Sequence, residues 1–167
     1  MSPILILAYG NPLRCDDGVA WRAAEALEGK LPQSYVEVLT LHQLAPEIAD
    51  WVRNRELVLF IDAACVDDMN SSRPGEIRVR KLSGEEIRKN PSGQFSHVYS
   101  PESVLDFARE LYNADPNAFV ITVAGENFGH GDALSTPVAA SLPELIATIE
   151  QRVNETLAKS TAMKHMK

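Results

Sequence analysis

The stretch from Pro3 to Gly18, PILILAYGNPLRCDDG, restricts the fold more than any other part of this chain. Ile4 to Ala8 is a short unbroken apolar run, the pattern of a strand buried on both faces of a sheet. Gly10 and Asn11 end that run with the two residue types that best tolerate positive φ. Asp16 and Asp17 then lead into VAWRAAEALEG, where Val19, Ala23 and Leu27 fall on one helical stripe. Strand, turn, acidic pair and helix in this order set two carboxylates at the carboxyl end of a central strand. That is the edge at which open α/β sheets bind ligands. The turn carries neither GxGxxG nor a Walker lysine, and acid at a helix start repels phosphate, so a cation suits it better than a nucleotide.

A chain of 167 residues with 45% hydrophobic content is long enough to bury one core. We expect a single domain over 1–156, followed by a frayed tail over 157–167, where LAKSTAMKHMK loses the helical pattern. The net charge of −7 argues against a nucleic-acid partner, which needs a basic patch. No run approaches the roughly 18 apolar residues of a membrane span. The first strand begins at residue 3, which leaves no room for a signal peptide. Cys15 and Cys65 have no metal-finger spacing and are too few for a disulfide framework, so a cytoplasmic protein with reduced thiols is expected.

Further along, Tyr35 to Leu41 alternates like a strand, and Leu44 to Val52 reads as a short helix with Pro46 in its first turn. Glu56 to Asp62 (ELVLFID) is apolar until it ends on a carboxylate at the same sheet edge as the acidic pair. Ala63 to Pro74 reads as a loop, and Gly75 to Leu82 alternates as a half-exposed strand. A parallel partner would need a crossover of a dozen or more residues, usually helical. None fits that gap, so the fourth strand should run antiparallel near an edge. Ser83 to Ser96 is polar, with one helical turn at Glu85 to Lys89. Ser100, Pro101 and Glu102 open a helix cleanly, with Val104, Ala108 and Leu111 as its inner stripe. Ala118 to Ala124 is the fifth strand and leads into the glycine-rich loop Gly125 to Asp132. Ser141 to Glu144 has the form of a capping box, followed by a last helix through Val153.

The chemistry-bearing residues gather at one edge. Asp16 is expected to cap the first helix, which leaves Asp17 free to project over the sheet. Asp62 arrives there from the third strand, and two carboxylates forced together need a shared proton or a cation. His97, in FSHVYSPE, precedes a helix and can hang over the same edge. Two carboxylates and an imidazole suit a divalent transition metal with open coordination positions. His130 is the rival ligand and Glu126 a group that could position substrate. His42 reads as structural, His165 lies in the tail, and both cysteines read as non-ligands. G-x-S-x-G and HExxH are absent, which removes the usual hydrolase motifs.

GNPLRCDDG, FIDAA, SHVYSPESVLDFARELY and TVAGENFGHGDALSTPV together resemble the hydrogenase maturation endopeptidases, over roughly Pro3 to Val153. Ala20 departs from the resemblance, since the family often has a second glycine there, and this touches helix packing rather than chemistry. The resemblance implies a three-layer α/β/α domain with a five-stranded mixed sheet, its fourth strand antiparallel. It implies that Asp17, Asp62 and His97 are both the catalytic and the metal-contacting residues. It further implies removal of a C-terminal extension from a nickel–iron hydrogenase large-subunit precursor, the nickel being carried by that substrate. A monomer is expected. Two other readings are open. One is a nickel-binding accessory protein with the same ligands but no hydrolysis, and the other a doubly wound nucleotide- or phosphate-binding domain, against which Asp16 and Asp17 count.

Overall fold

The computed structural model describes residues 2–69, 73–82 and 99–165. Its centre is a five-stranded sheet in the order β2-β1-β3-β5-β4. These strands are β1 (Ile4–Tyr9), β2 (Val36–Leu41), β3 (Leu57–Cys65), β4 (Ile77–Leu82) and β5 (Asn117–Gly125). β1 pairs with β2 and β3 in parallel, and β3 pairs with β5 in parallel. β4 runs antiparallel to β5 at one edge, as the missing crossover helix requires. Ile4, Leu5, Ile6, Leu7 and Ala8 are all buried, because each face of β1 is covered by helices.

Among the described residues four helices form the covering layers: α1 (Val19–Leu27), α2 (Ile48–Val52), α3 (Pro101–Tyr112) and α4 (Thr136–His165). On one face Val19, Ala23 and Leu27 of α1 and Val138, Leu145, Ile149 and Val153 of α4 pack on Ile4, Ile6, Leu59 and Ile121. On the other, Ile48 and Val52 of α2 and Val104, Leu105 and Ala108 of α3 cover Leu5, Leu7, Val58 and Phe60. Each large aliphatic side chain so buried contributes about 1.5–3 kcal/mol. The small residues of α1 (Ala20, Ala23 and Ala24) are all buried, so Ala20 sits in packing, away from the chemistry.

Several elements differ from the sequence expectation. β3 does not end at Asp62 but continues through Cys65, because β5 extends beside it and pairs Ala63, Ala64 and Cys65 with Val123, Ala124 and Gly125. Continuing the ladder satisfies backbone groups that a loop would leave to solvent, and the short run of alanines carries no periodic signal. α2 is only five residues long, with Pro46 in the turn before it rather than in its first turn. The stripe of α3 turns through Leu105, which leaves Leu111 66% exposed.

α4 starts at Thr136, five residues ahead of the proposed capping box. Ser135 opens it, accepting from Ala139 N at 2.8 Å, with Pro137 in the first turn where its missing N–H costs nothing. Ser141 then lies inside the helix and donates to Val138 O at 2.8 Å. The segment from Leu157 is also helical, to His165, rather than frayed. Leu157 packs on the core, and Ser160 bonds Glu56 at 2.5 Å. Ser83–Ser96, with its suggested helical turn, lies outside the described residues.

Candidate active site

The site is assembled where β1 and β3 leave the sheet. After Tyr9 the chain turns through Gly10 at φ 135°, a conformation that strains any side chain. A Cβ on Gly10 would also stand 2.2 Å from the carbonyl oxygen of Asp17. The turn then closes on itself, Asn11 N donating to Asp17 Oδ2 at 2.8 Å and Asp17 N to Arg14 O at 3.1 Å. Asp17 is half-buried in a short 3-10 turn, Cys15–Gly18. Trp21 pins the loop to the sheet, its indole N–H shared between Gly10 O at 3.0 Å and Leu41 O at 3.2 Å.

Asp16 behaves differently from the expectation. It makes no helix-capping bond and is completely buried. Its Oδ2 accepts from the backbone of Glu126 at 3.0 Å and of Asn127 at 2.9 Å, and from the Ser135 hydroxyl at 2.9 Å. Its Oδ1 accepts from Ser135 N at 2.7 Å. The carboxylate is thus a clamp on the glycine-rich loop, more than a hundred residues away. Three backbone bonds complete the seam: Asp16 N to Asn127 O at 2.9 Å, Cys15 N to Gly131 O at 2.8 Å and Gly131 N to Leu13 O at 3.0 Å. A Cβ on Gly125 would lie 2.6 Å from the Phe128 ring and 3.0 Å from Asp16 Cβ, so both side chains would have to shift to admit one. Nothing local in the sequence marks this role, because the donors come from the far end of the chain.

Asp62 stands on the face of the sheet covered by α2 and α3. Ala63 N donates to its Oδ1 at 2.8 Å, and the Tyr9 hydroxyl hydrogen-bonds its carboxylate. Burial pushes its carboxyl up to about 7, and the neighbouring Asp17 charge adds to this against the two hydrogen bonds. Burial also raises Tyr9 well above its ordinary value, with the Asp62 charge second, so Tyr9 stays a neutral donor. Tyr9 is the site residue that sequence reasoning missed. The signal was its place as the last residue of β1, directly before the turn.

Beside Asp62 lies an open hollow of about 370 Å³, lined among others by Tyr9, Asp68, Arg78, Arg80 and Thr122. Pro101, first residue of α3, closes one side of it. Arg80 is bound to Glu102 at 2.5 Å, and Arg78 to Glu76 at 3.2 Å and to the Met69 carbonyl. The two guanidiniums therefore wall the hollow with their charge already balanced.

The structure thus brings Asp17 and Asp62 to one edge, close enough to interact electrostatically. His97 lies outside the described residues, just before the segment that enters α3 over this hollow. Among the described residues no three His, Cys, Asp or Glu side chains converge as a metal centre. His130 and Glu126 are exposed on the glycine-rich loop, and His42 stacks on Trp21 at 5.2 Å. Cys15, buried, and Cys65, half-buried, are free thiols.

No model of a known protein family matches this sequence, and no curated protein matches it. Solved structures do. The hydrogenase maturating endopeptidase HybD from E. coli superposes with a TM-score of 0.74 at 24% identity, over 93% of this chain and 94% of that one. The fold is that of the hydrogenase maturation endopeptidases. The [NiFe] hydrogenase maturation protease HybD from Thermococcus kodakarensis matches at 26% identity and a TM-score of 0.66, over 90% of this chain and 98% of that one. An endopeptidase from Escherichia coli, determined in solution, matches at 23% and 0.69, over 96% and 94%. In this endopeptidase fold the mixed sheet with its single antiparallel strand, and helices on both faces, is shared.

Proposed function

We propose that the chain is an endopeptidase that removes the C-terminal extension of a nickel–iron hydrogenase large-subunit precursor after nickel insertion. The observation that carries this reading is the pair Asp17 and Asp62, two half-buried carboxylates at one sheet edge and close enough to interact electrostatically, in the fold of named maturation endopeptidases. Asp17, Asp62 and His97 meet the nickel that the precursor already holds, and the scissile peptide lies along the hollow. Three oxygen and nitrogen ligands without a thiolate suit a metal shared with a cysteine-bound substrate. Asp62 exchanges its proton near neutrality, which fits a group that passes a proton during hydrolysis. The partner docks on local apolar contacts rather than by overall charge, since this chain carries −7. Leu13, 66% exposed, and Tyr99, 38% exposed, flank the two loops, Ser83–Ser96 and Gly125–Asp132, that we assign to docking.

The test is cleavage of the nickel-loaded precursor, followed by intact mass. Loss of the extension with wild type, abolished in Asp17→Asn, Asp62→Asn and His97→Ala, supports both the activity and the site. Nickel binding without any mass loss would make the chain an accessory protein instead. Cleavage that survives all three changes would leave the activity and remove the site.

A further inference from the structure

The face of β5 that meets α3 carries Ala118, Val120, Thr122 and Ala124, and Thr122 is the polar residue among them. Its register is fixed on both sides. Thr122 pairs with Asp62 of β3 and with Arg78 of β4, so the three side chains stand in one row across the sheet, about 5 Å from strand to strand. Tyr9, two residues beyond the Leu7 that pairs with Phe60, carries this row onto β1. Two residues back along the strands the corresponding row is Leu7, Phe60, Val120 and Arg80, and its first three members belong to the core. The sheet thus changes from apolar to polar in a single step. The polar row forms the floor of the hollow of about 370 Å³ beside Asp62.

Three members of the row are already engaged. Asp62 accepts from Ala63 N at 2.8 Å and from the Tyr9 hydroxyl, and Arg78 donates to Glu76 and to the Met69 carbonyl. Thr122 differs. It is half-buried and lines the hollow, and among the described residues no hydrogen bond reaches its hydroxyl.

The surroundings narrow what that hydroxyl meets. Asp62, Asp68, Arg78 and Arg80 put two carboxyl groups and two guanidiniums around the hollow, which therefore favours neither sign of charge. A neutral group that accepts a proton suits it. An extended peptide presents such a carbonyl at every residue, and a threonine hydroxyl has one proton to give.

We propose that Thr122 is a substrate-binding residue whose hydroxyl donates to a main-chain carbonyl of the precursor segment lying beside Asp62. This rests on the endopeptidase reading given above. The bond forms when the segment enters the hollow and persists through cleavage, so it contributes to affinity rather than to turnover.

The test is steady-state cleavage of the nickel-loaded precursor by wild type, Thr122→Val and Thr122→Ser. Valine keeps the branched shape and the strand preference and loses the hydroxyl, while serine keeps the hydroxyl. Thr122→Val should raise KM about five- to tenfold and leave kcat within about twofold of wild type, and Thr122→Ser should stay within about twofold in both. Since no described group of the protein bonds this hydroxyl, Tm of Thr122→Val should equal or exceed that of wild type. A wild-type KM in Thr122→Val, an equal rise of KM in Thr122→Ser, or a loss confined to kcat would overturn the proposal and leave the endopeptidase reading standing. A lowered Tm in Thr122→Val would overturn it as well, by giving the hydroxyl to the fold. Absence of cleavage by wild type would remove that reading and this proposal with it.

Discussion

Adjacent residues of one type can hold opposite jobs, and Asp16 and Asp17 do. Asp16, fully buried, accepts four hydrogen bonds, and Asp17 accepts one from Asn11 and stands half-open. Asp16→Ala should therefore cost about 3–4 kcal/mol, read as a loss of unfolding free energy in urea. Asp17→Asn should leave that stability nearly unchanged and abolish precursor cleavage. Asp62 yields a second expectation. In the fold it keeps its proton up to about 7, while an unfolded aspartate releases it near ~3.9. The unfolded state thus binds fewer protons between these values, and the protonated carboxyl's advantage, full below ~3.9, is lost as pH rises through about 7. Asp62→Asn should gain Tm relative to wild type as pH goes from ~4 to ~8. Tyr9→Phe removes a bond that favours the charged form, so a ¹³C titration of Asp62 should move above about 7 and cleavage at neutral pH should fall. Cation binding displaces the same proton, so nickel affinity should rise up to about tenfold per pH unit below that value and level off above it. The carboxylates themselves were legible in the sequence, since acid at a strand end is conspicuous. Their division of labour was not, because burial of Asp16 depends on amides contributed by residues 126–135.

Elements were legible where local chemistry decides them. Ser100 caps α3 as its sequence predicts, with Ser103 rather than an acid as the reciprocal partner, at 2.9 Å and 3.2 Å. Ser100→Ala should lower stability by about 1 kcal/mol. Ser141-Leu-Pro-Glu144 carries a stronger local capping signal than Ser135-Thr-Pro, yet α4 starts at Thr136. The outcome was settled by Asp16, which holds Ser135 by both its N–H and its hydroxyl. β3 runs past Asp62 for a similar reason, since Ala63–Cys65 becomes strand because β5 offers Val123–Gly125 alongside. The turn after β1 is the element on which the site hangs. Gly10→Ala forces a side chain to φ 135° and into the Asp17 carbonyl. It should cost at least about 2 kcal/mol and displace Asp17, so that cleavage is lost even where the protein remains folded by circular dichroism.

At the scale of the molecule, the antiparallel fourth strand followed from counting residues: no helix fits between β3 and β4, so the chain must double back. The layers followed from β1, whose unbroken apolar run demands cover on both faces. What no count could supply was the tie between the two ends of the chain. The acidic pair lies within the first seventeen residues, yet the loop that bears Asp17 is held by amides near residue 130. A chain emerging from a ribosome has Asp16 and Asp17 early and the clamp partners of Asp16 late. Contacts of such long sequence separation form late, after loop closure has been met elsewhere. Hydrolytic competence should consequently switch on only at the end of synthesis, and a nascent or truncated chain lacking Ser135 carries its acid without the means to aim it.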